Sequence, residues 1–175
     1  MSLTLVLTVH GGSAQARRGV GCADAGKAPR QLTMHQLRTA MLCMVNRMRR
    51  HYNLPMLAFS KELRRSATAH STDMVVHGYF AHDGLDGSTL GDRIQNAGYP
   101  ARVNTYRIGE NIGGGFGRRL GSPAAVCRAW MRSPSHRANI LSPSFHDFGV
   151  GVARGFPGGL GARAATYTLD FGARH

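Results

Sequence analysis

The chain has 175 residues, enough for one domain with a sizeable core, and its 42% hydrophobic content is typical of a globular protein rather than a disordered one. Its formal net charge is +13, and all but two of its 22 Lys and Arg residues are arginines. This charge favours an anionic partner, such as an anionic surface of the cell envelope. The arginines are scattered without a recognisable DNA- or RNA-binding motif, so specific nucleic-acid binding is not expected.

The N-terminus begins with a short apolar run, residues 3–9, followed by small residues that end in an Ala-x-Ala pattern at residues 14–16. This arrangement is typical of the end of a secretory signal peptide, although the basic start is missing. We predict a truncated signal peptide at residues 1–16, an N-terminal extension at residues 17–31 and one domain at residues 32–175. The protein is therefore expected to be secreted or associated with the cell envelope.

Three cysteines agree with export. Cys22 and Cys43 flank the start of the first predicted helix, and we expect them to form a disulfide that stabilises the fold by roughly 3 kcal/mol. Cys127 is left over from this pairing. Its apolar helical surroundings favour a buried and inert thiol over a nucleophile.

The first half of the domain has the apolar periodicity of helices. Apolar residues three and four positions apart predict one amphipathic helix within residues 32–53. Ser60 has the character of an N-cap for a second helix, which ends at Gly78. Ser88 is predicted to cap a short third helix, which is closed by Gly98.

The second half combines helix starts with strands. Residues 106–115 predict a strand that runs into the glycine-rich segment 113–117, which lacks a phosphate-binding pattern and is interpreted as a flexible hairpin. A Ser-Pro pair at residues 122–123 and another at 133–134 each predict a helix start.

Two alternating segments near the C-terminus, residues 148–153 and 165–171, predict an antiparallel pair of strands. Because helices precede strands without regular βαβ alternation, we expect an α+β layered fold.

Two histidines and one glutamate are the strongest candidates for a site. His82, Glu110 and His136 lie in three separate segments, each beside apolar anchors and turn residues, and Glu110 is one of only two glutamates. If the fold brings them together, they supply two nitrogen ligands and one oxygen ligand for a divalent cation or an activated water. Both histidines lie at element boundaries, where functional groups collect on a rigid scaffold.

Several motifs occur in order between residues 32 and 172. They are Ala67-x-x-His70-Ser71-x-Asp73-Met74, Tyr79-Phe80-x-His82, Arg93, Ala97-Gly98-Tyr99, Gly109-Glu110-Asn111-Ile112, Trp130-Met131-x-Ser133-Pro134-x-His136-Arg137-x-Asn139-Ile140-Leu141, Phe148-Gly149-Val150-Gly151-Val152 and Asp170-Phe171-Gly172. Together they resemble the bacterial branch of the CAP superfamily, also called the SCP-like extracellular domain. The resemblance implies secretion and a three-layer α-β-α sandwich with a mainly antiparallel central sheet and a large cleft.

In that family the cleft contains two histidines and two acidic residues, and some members bind a divalent ion, often zinc, through the histidines. The resemblance places these roles on His82, Glu110 and His136, with His82 and His136 as the ligands of zinc or another divalent cation. Animal members have a glutamate three residues after the tryptophan, whereas this chain has Ser133 there. A serine hydroxyl carries no charge and is a poor zinc ligand, so the expected cleft has one acid instead of two.

A competing site lies on the second predicted helix. His70, Asp73 and His77 share one helix face and have the residue types for a cation site. His70 also belongs to the apolar stripe of that helix, which favours a hydrogen-bonded core histidine.

These residues support two function classes. The preferred hypothesis is a monomeric binding module for a small apolar, peptide or cell-envelope ligand. The alternative is a metal-dependent, peptidase-like hydrolase with Glu110 as general base. A serine hydrolase using Ser133 or Ser135 with His136 is disfavoured, because no nucleophile elbow surrounds these serines.

Overall fold

A computed structural model describes residues 21–99 and 107–173. The predicted signal peptide, the first residues of the extension and the predicted start of the strand at residue 106 lie outside this part of the chain. The helices are α1 (Met34–His51), α2 (Lys61–His77), α3 (Leu90–Asn96), α4 (Gly117–Leu120), α5 (Pro123–Arg132) and α6 (Pro134–Leu141). The strands are β1 (Ala58–Phe59), β2 (Ile108–Phe116), β3 (Asp147–Arg154) and β4 (Ala164–Gly172). None of the described helices is long and apolar enough to cross a membrane.

The strands form one sheet in the order β1-β3-β4-β2, so β1 and β2 are its edges. β1 runs parallel to β3, and the other two pairs are antiparallel. Helix α2 packs on one face of the sheet, whereas α1, α5 and α6 lie on the other and share the main core with β3 and β4. The predicted α+β fold, a three-layer α-β-α sandwich, is confirmed.

Two glycines in β3 determine how closely α2 approaches the sheet. A Cβ at Gly149 would lie 2.1 Å from the backbone nitrogen of Arg64, and one at Gly151 would lie 2.0 Å from the carbonyl carbon of Ala67. The helix backbone therefore rests directly on β3. On the neighbouring strand, Ser71 Oγ of α2 donates a 2.8 Å hydrogen bond to Thr168 Oγ1, so the buried face under α2 is partly polar.

The helix starts follow the predicted residues except at α3, and Ser133 precedes α6 as predicted but its side chain makes no cap hydrogen bond. The side chains of Ser60 and Ser122 accept hydrogen bonds from the backbone at the starts of α2 and α5, as predicted. Ser88 does not cap α3. Thr89 does, because the Asp92 carboxylate three residues later accepts a 2.9 Å hydrogen bond from the Thr89 backbone nitrogen and completes a capping box that Ser88 cannot form with Gly91.

The glycine-rich segment is not a flexible hairpin. Residues 113–116 continue β2 and pair with β4 as far as Phe116, and α4 begins at the next residue. A Cβ at Gly113 would lie 2.7 Å from Trp130 Nε1, and one at Gly114 would lie 2.7 Å from the Ala165 carbonyl oxygen. These glycines do not form a turn. They allow Trp130 and β4 to pack closely against β2.

The cysteine predictions are confirmed. Cys22 and Cys43 form a disulfide with a Cα–Cα distance of 5.6 Å, which ties the segment before α1 to that helix. Cys127 is free and fully buried on α5. Burial raises the pKa of the Cys127 thiol to about 12, so the thiolate needed for nucleophilic reactivity is scarce at neutral pH.

Candidate functional site

The candidate site lies at the edge strand β2, where the loop after α2 meets α3 and α6. Glu110 is on β2, His82 is in the loop that follows α2, and His136 is in the first turn of α6. Ser133 is the residue from which α6 starts. Three segments that are distant in sequence, the loop after α2, strand β2 and helix α6, thus meet at one end of the sheet.

Glu110 is the best-connected side chain of the site. His82 Nδ1 donates to Glu110 Oε1 at 2.7 Å, and Arg93 Nη2 of α3 donates to Glu110 Oε2 at 2.8 Å. Burial would raise the pKa of Glu110, but the hydrogen bond from His82 and the charge of Arg93 outweigh it and leave this pKa below its usual value. Glu110 is therefore a carboxylate at neutral pH with both oxygens in use.

The contact with Glu110 determines which ring nitrogen of His82 carries a proton and how the ring is oriented. Because the carboxylate accepts from Nδ1, the proton on that nitrogen is held in place and Nε2 is directed away from Glu110. The same hydrogen bond raises the pKa of His82 above 6.5. His82 remains about half exposed, with 54% of its side-chain surface accessible, so its second nitrogen can meet a ligand.

A second carboxyl group lies beside Glu110. Asp170 of β4 is the direct cross-strand partner of Glu110, and its side chain is completely buried. Burial and the neighbouring charge of Glu110 raise the pKa of Asp170 well above its usual value, which favours the protonated form of this carboxyl. The sheet register thus places two carboxyl groups side by side, one with a raised pKa and one with a lowered pKa.

Two asparagines connect α6 to β2 and thereby position His136. Asn111 Nδ2 donates to the His136 carbonyl oxygen at 3.0 Å. Asn139 Nδ2 donates to the Glu110 carbonyl oxygen at 3.1 Å and to Asn111 Oδ1 at 2.9 Å. Burial and the charge of His82 lower the pKa of His136, which indicates that the two imidazoles are within electrostatic range of each other.

The expected three-ligand set of His82, Glu110 and His136 needs a correction. Within residues 21–99 and 107–173, no group of three or more His, Cys, Asp and Glu side chains has an arrangement that could hold a metal ion. Glu110 is engaged by His82 and Arg93 and therefore orients His82 instead of acting as a ligand. A carboxylate that holds the second nitrogen of a histidine is common around metal-binding imidazoles, and His82 has this arrangement with Glu110.

The competing site on α2 does not form. Asp73 accepts from His77 Nδ1 at 2.7 Å and from the Tyr79 hydroxyl, so both of its oxygens are in use. His70 is buried and donates from Nε2 to the Ala81 carbonyl oxygen at 3.0 Å, as expected of a core histidine. The same nitrogen lies 3.9 Å from Glu110 Oε2, so His70 faces the Glu110 site rather than Asp73.

A groove of about 410 Å³ lies beside β2, next to His136 and Ser133. Most of its wall is apolar, and the largest apolar side chains in it are Phe80, Ile112, Leu120, Trp130 and Phe156. Trp130 is fixed by a 2.8 Å hydrogen bond from Nε1 to the Ile112 carbonyl oxygen. The rim also carries two arginines, Arg119 and Arg132.

The fold and the groove beside β2 define a CAP-type domain. The model of the cysteine-rich secretory protein (CAP) family matches residues 42–170, and the chain belongs to this family. It is 32% identical over 124 residues to the uncharacterized protein YkwD of Bacillus subtilis (strain 168), a match that covers 71% of this chain and 44% of YkwD.

Solved structures agree with this assignment. An extracellular protein containing a SCP domain from Bacillus anthracis is 28% identical, with a TM-score of 0.63 and coverage of 82% of this chain and 44% of that one. An outer surface protein of Borrelia burgdorferi has a TM-score of 0.62 over 77% of this chain and 90% of its own, and at 21% identity it supports the fold alone. The chain spans less than half the length of YkwD and of the B. anthracis protein.

Proposed function

We propose that this chain is a secreted or envelope-associated binding module whose groove beside β2 accepts an apolar or amphiphilic ligand, such as a lipid, a peptide or a cell-wall fragment. The observation that carries this proposal is the apolar groove of about 410 Å³ that opens next to His136. Its size and composition suit a small-molecule site, in which apolar walls supply affinity and a few polar groups supply orientation. The extracellular description of the similar Bacillus anthracis structure supports the location.

The charge around the groove narrows the ligand class. All nine Asp and Glu residues lie in the described part of the chain, and none of them lines the groove, whereas Arg119 and Arg132 do. The lining thus combines apolar surface with positive charge. An amphiphile with an apolar chain and an acidic end group is the best match to that combination.

The hydrolase alternative receives no comparable support. A general base must reach the proton it removes and have a pKa near the working pH. Glu110 has both oxygens occupied and a lowered pKa, which makes it a weak base. Ser133 Oγ lies 3.4 Å from Ser135 Oγ, a contact that activates neither hydroxyl as a nucleophile.

The groove can be tested with Phe80→Ala. Phe80 lines the groove and is 44% exposed, so truncating its ring removes ligand contact with little loss of core packing. We expect a fluorescent long-chain fatty acid to bind the wild type at one site and to bind Phe80→Ala about tenfold more weakly, the effect of losing roughly 1.4 kcal/mol of apolar contact. Leu85→Ala is the matched control, because Leu85 is exposed and lies outside the groove. Equal affinities in the two variants would contradict the proposed groove.

The imidazole pair can be tested with zinc. We expect the wild type to bind Zn²⁺ through His82 and His136, and the double variant His82→Ala/His136→Ala to lose this binding. Protons compete with zinc for both rings, and the pKa of His82 lies above 6.5, so affinity should already fall as the pH drops towards 6.5 and should be at least about tenfold lower at pH 5.5 than at pH 7.5. Titration calorimetry at the two pH values measures this.

The control for zinc is His35→Ala/His51→Ala, which removes two exposed histidines from α1. It should bind zinc as the wild type does. Unchanged zinc affinity in the His82/His136 variant would rule out the imidazole pair. Zinc-dependent hydrolysis of a peptide or cell-wall substrate by the wild type, absent from that variant, would favour the hydrolase over the binding module.

A further inference from the structure

A second cavity, of about 300 Å³, lies between α1 and α2 near β1. β1 and β2 are opposite edges of the sheet, so this cavity is separate from the groove beside β2. Three of its lining residues are basic and three are apolar. They are His35, Arg38, Arg64, Leu42, Phe59 and Val150.

Neither arginine of this cavity has an acidic partner. All nine Asp and Glu residues lie in the described part of the chain, and none of the ion pairs there involves Arg38 or Arg64. Glu62, which is close in sequence to Arg64, is engaged by Ser60 Oγ at 2.8 Å and by Lys61. Among residues 21–99 and 107–173, no carboxylate therefore forms an ion pair with either guanidinium group of this cavity.

This arrangement costs free energy in the unliganded protein. Arg64 Nε is buried and has no hydrogen-bond partner. The Arg64 guanidinium lies 6.0 Å from the centre of the Phe59 ring. Burial and the charge of Arg64 lower the pKa of Arg38. Two partly buried guanidinium groups repel each other, and an anion bound between them would relieve this repulsion.

We propose that this cavity binds a phosphate monoester that carries a small apolar or ring-shaped group. Two guanidinium groups match a dianion in charge, and their planar donors match the phosphate oxygens in geometry. A phosphate monoester carries about −1.5 to −2 charges near neutral pH. Phe59, which is 52% exposed, and Leu42 provide an apolar wall for the rest of the molecule.

Titration calorimetry with phenyl phosphate tests the proposal. We expect one saturable site on the wild type, weaker binding of inorganic phosphate and no binding of phenol. Arg38→Gln and Arg64→Gln should each lower the affinity for phenyl phosphate at least tenfold. Phe59→Ala should weaken the binding of phenyl phosphate but not that of inorganic phosphate. An equal loss of affinity for both probes would contradict the proposed contact between Phe59 and the apolar group of the ligand.

Arg47→Gln is the matched control, because Arg47 is an exposed α1 arginine outside the cavity and its replacement removes the same charge. It should change the affinity less than twofold, and Phe80→Ala should leave it unchanged. Arg38→Gln should melt at or above the wild-type temperature, since it removes an unpaired charge. Absence of a saturable site on the wild type, or an equal loss of affinity in Arg47→Gln, would overturn the proposal.

Discussion

Gly151→Ala is expected to lower the free energy of unfolding by at least about 4 kcal/mol, an exceptional cost for a single methyl group. The added Cβ would lie 2.0 Å from both the carbonyl carbon and the carbonyl oxygen of Ala67, which belong to the α2 backbone. A helix backbone cannot shift by more than an ångström without separating α2 from β3 and β4. For a chain of this length the melting temperature should fall by roughly 10 °C.

Thermal and urea unfolding of Gly151→Ala, Gly149→Ala and Gly26→Ala measure this effect. Gly149 has the same close contact with α2 and should give a similar loss. Gly26 has open space around its Cβ position, so Gly26→Ala should stay within about 0.5 kcal/mol of the wild type. If Gly151→Ala unfolds like Gly26→Ala, α2 does not rest on β3 in the way the structure describes.

The sequence predicted those features that depend on local chemistry. Helix starts at Ser60 and Ser122 could be predicted because a capping side chain bonds backbone atoms only three residues away. The start of α3 was misplaced by one residue because Ser88 and Thr89 are both capping residues, and only the hydrogen bond from the Thr89 backbone nitrogen to the Asp92 carboxylate distinguishes them.

Features that depend on contacts distant in sequence were predicted less well. The segment 113–116 has the composition of a turn, and it is a strand because Trp130 and β4 leave no space for side chains there. No local pattern in the sequence reveals that constraint. The pairing of Gly149 and Gly151 with α2 has the same origin, although their alternation with Val150 was already typical of a strand.

Some residues of the candidate site could be predicted from the sequence and others could not. The placement of His82 and Glu110 in one cleft was expected from the family motifs, but their direct contact, 2.7 Å between His82 Nδ1 and Glu110 Oε1, was not. Arg93 and Asp170 belong to the same motif set, but no role could be given to them from the sequence. Arg93 reaches Glu110 from α3, and Asp170 lies beside Glu110 only because of the register of β2 and β4. The sequence did contain one indication of a role for Asp170, because it is the only acidic residue in the otherwise apolar and threonine-rich strand at residues 165–171.

Glu110→Gln is expected to preserve the fold but to lower the free energy of unfolding by about 3 kcal/mol near pH 5.5. The amide keeps the shape of the side chain but removes the charge that Arg93 and His82 face. Breaking a buried ion pair from one side is costly because the remaining charge is left without compensation. Most of this cost should come from Arg93, whose side chain is 10% exposed, since His82 is about half exposed and water can solvate it.

The pH dependence of this loss identifies its cause. The pKa of Glu110 lies below 4.5, so its stabilisation is present above that pH and is lost as the pH falls through the folded pKa. The pKa of His82 lies above 6.5, so its stabilisation is complete below 6.5 and is lost as the pH rises through the folded pKa. The difference between wild type and Glu110→Gln should therefore be largest between pH 4.5 and 6.5, and at higher pH it should shrink to the part contributed by Arg93.

NMR titration measures the pKa of His82, which would not change in Glu110→Gln if Glu110 had a purely structural role. In Glu110→Gln the pKa of His82 should fall towards its ordinary value of 6.5, because its strongest hydrogen-bond acceptor has lost its charge. Asp83→Asn is the matched control, since it removes an exposed carboxylate next to His82 and should change this pKa much less. If the stability at pH 5.5 and the pKa of His82 are the same in Glu110→Gln as in the wild type, Glu110 does not hold His82. The role assigned to Glu110, to orient His82, would then fail.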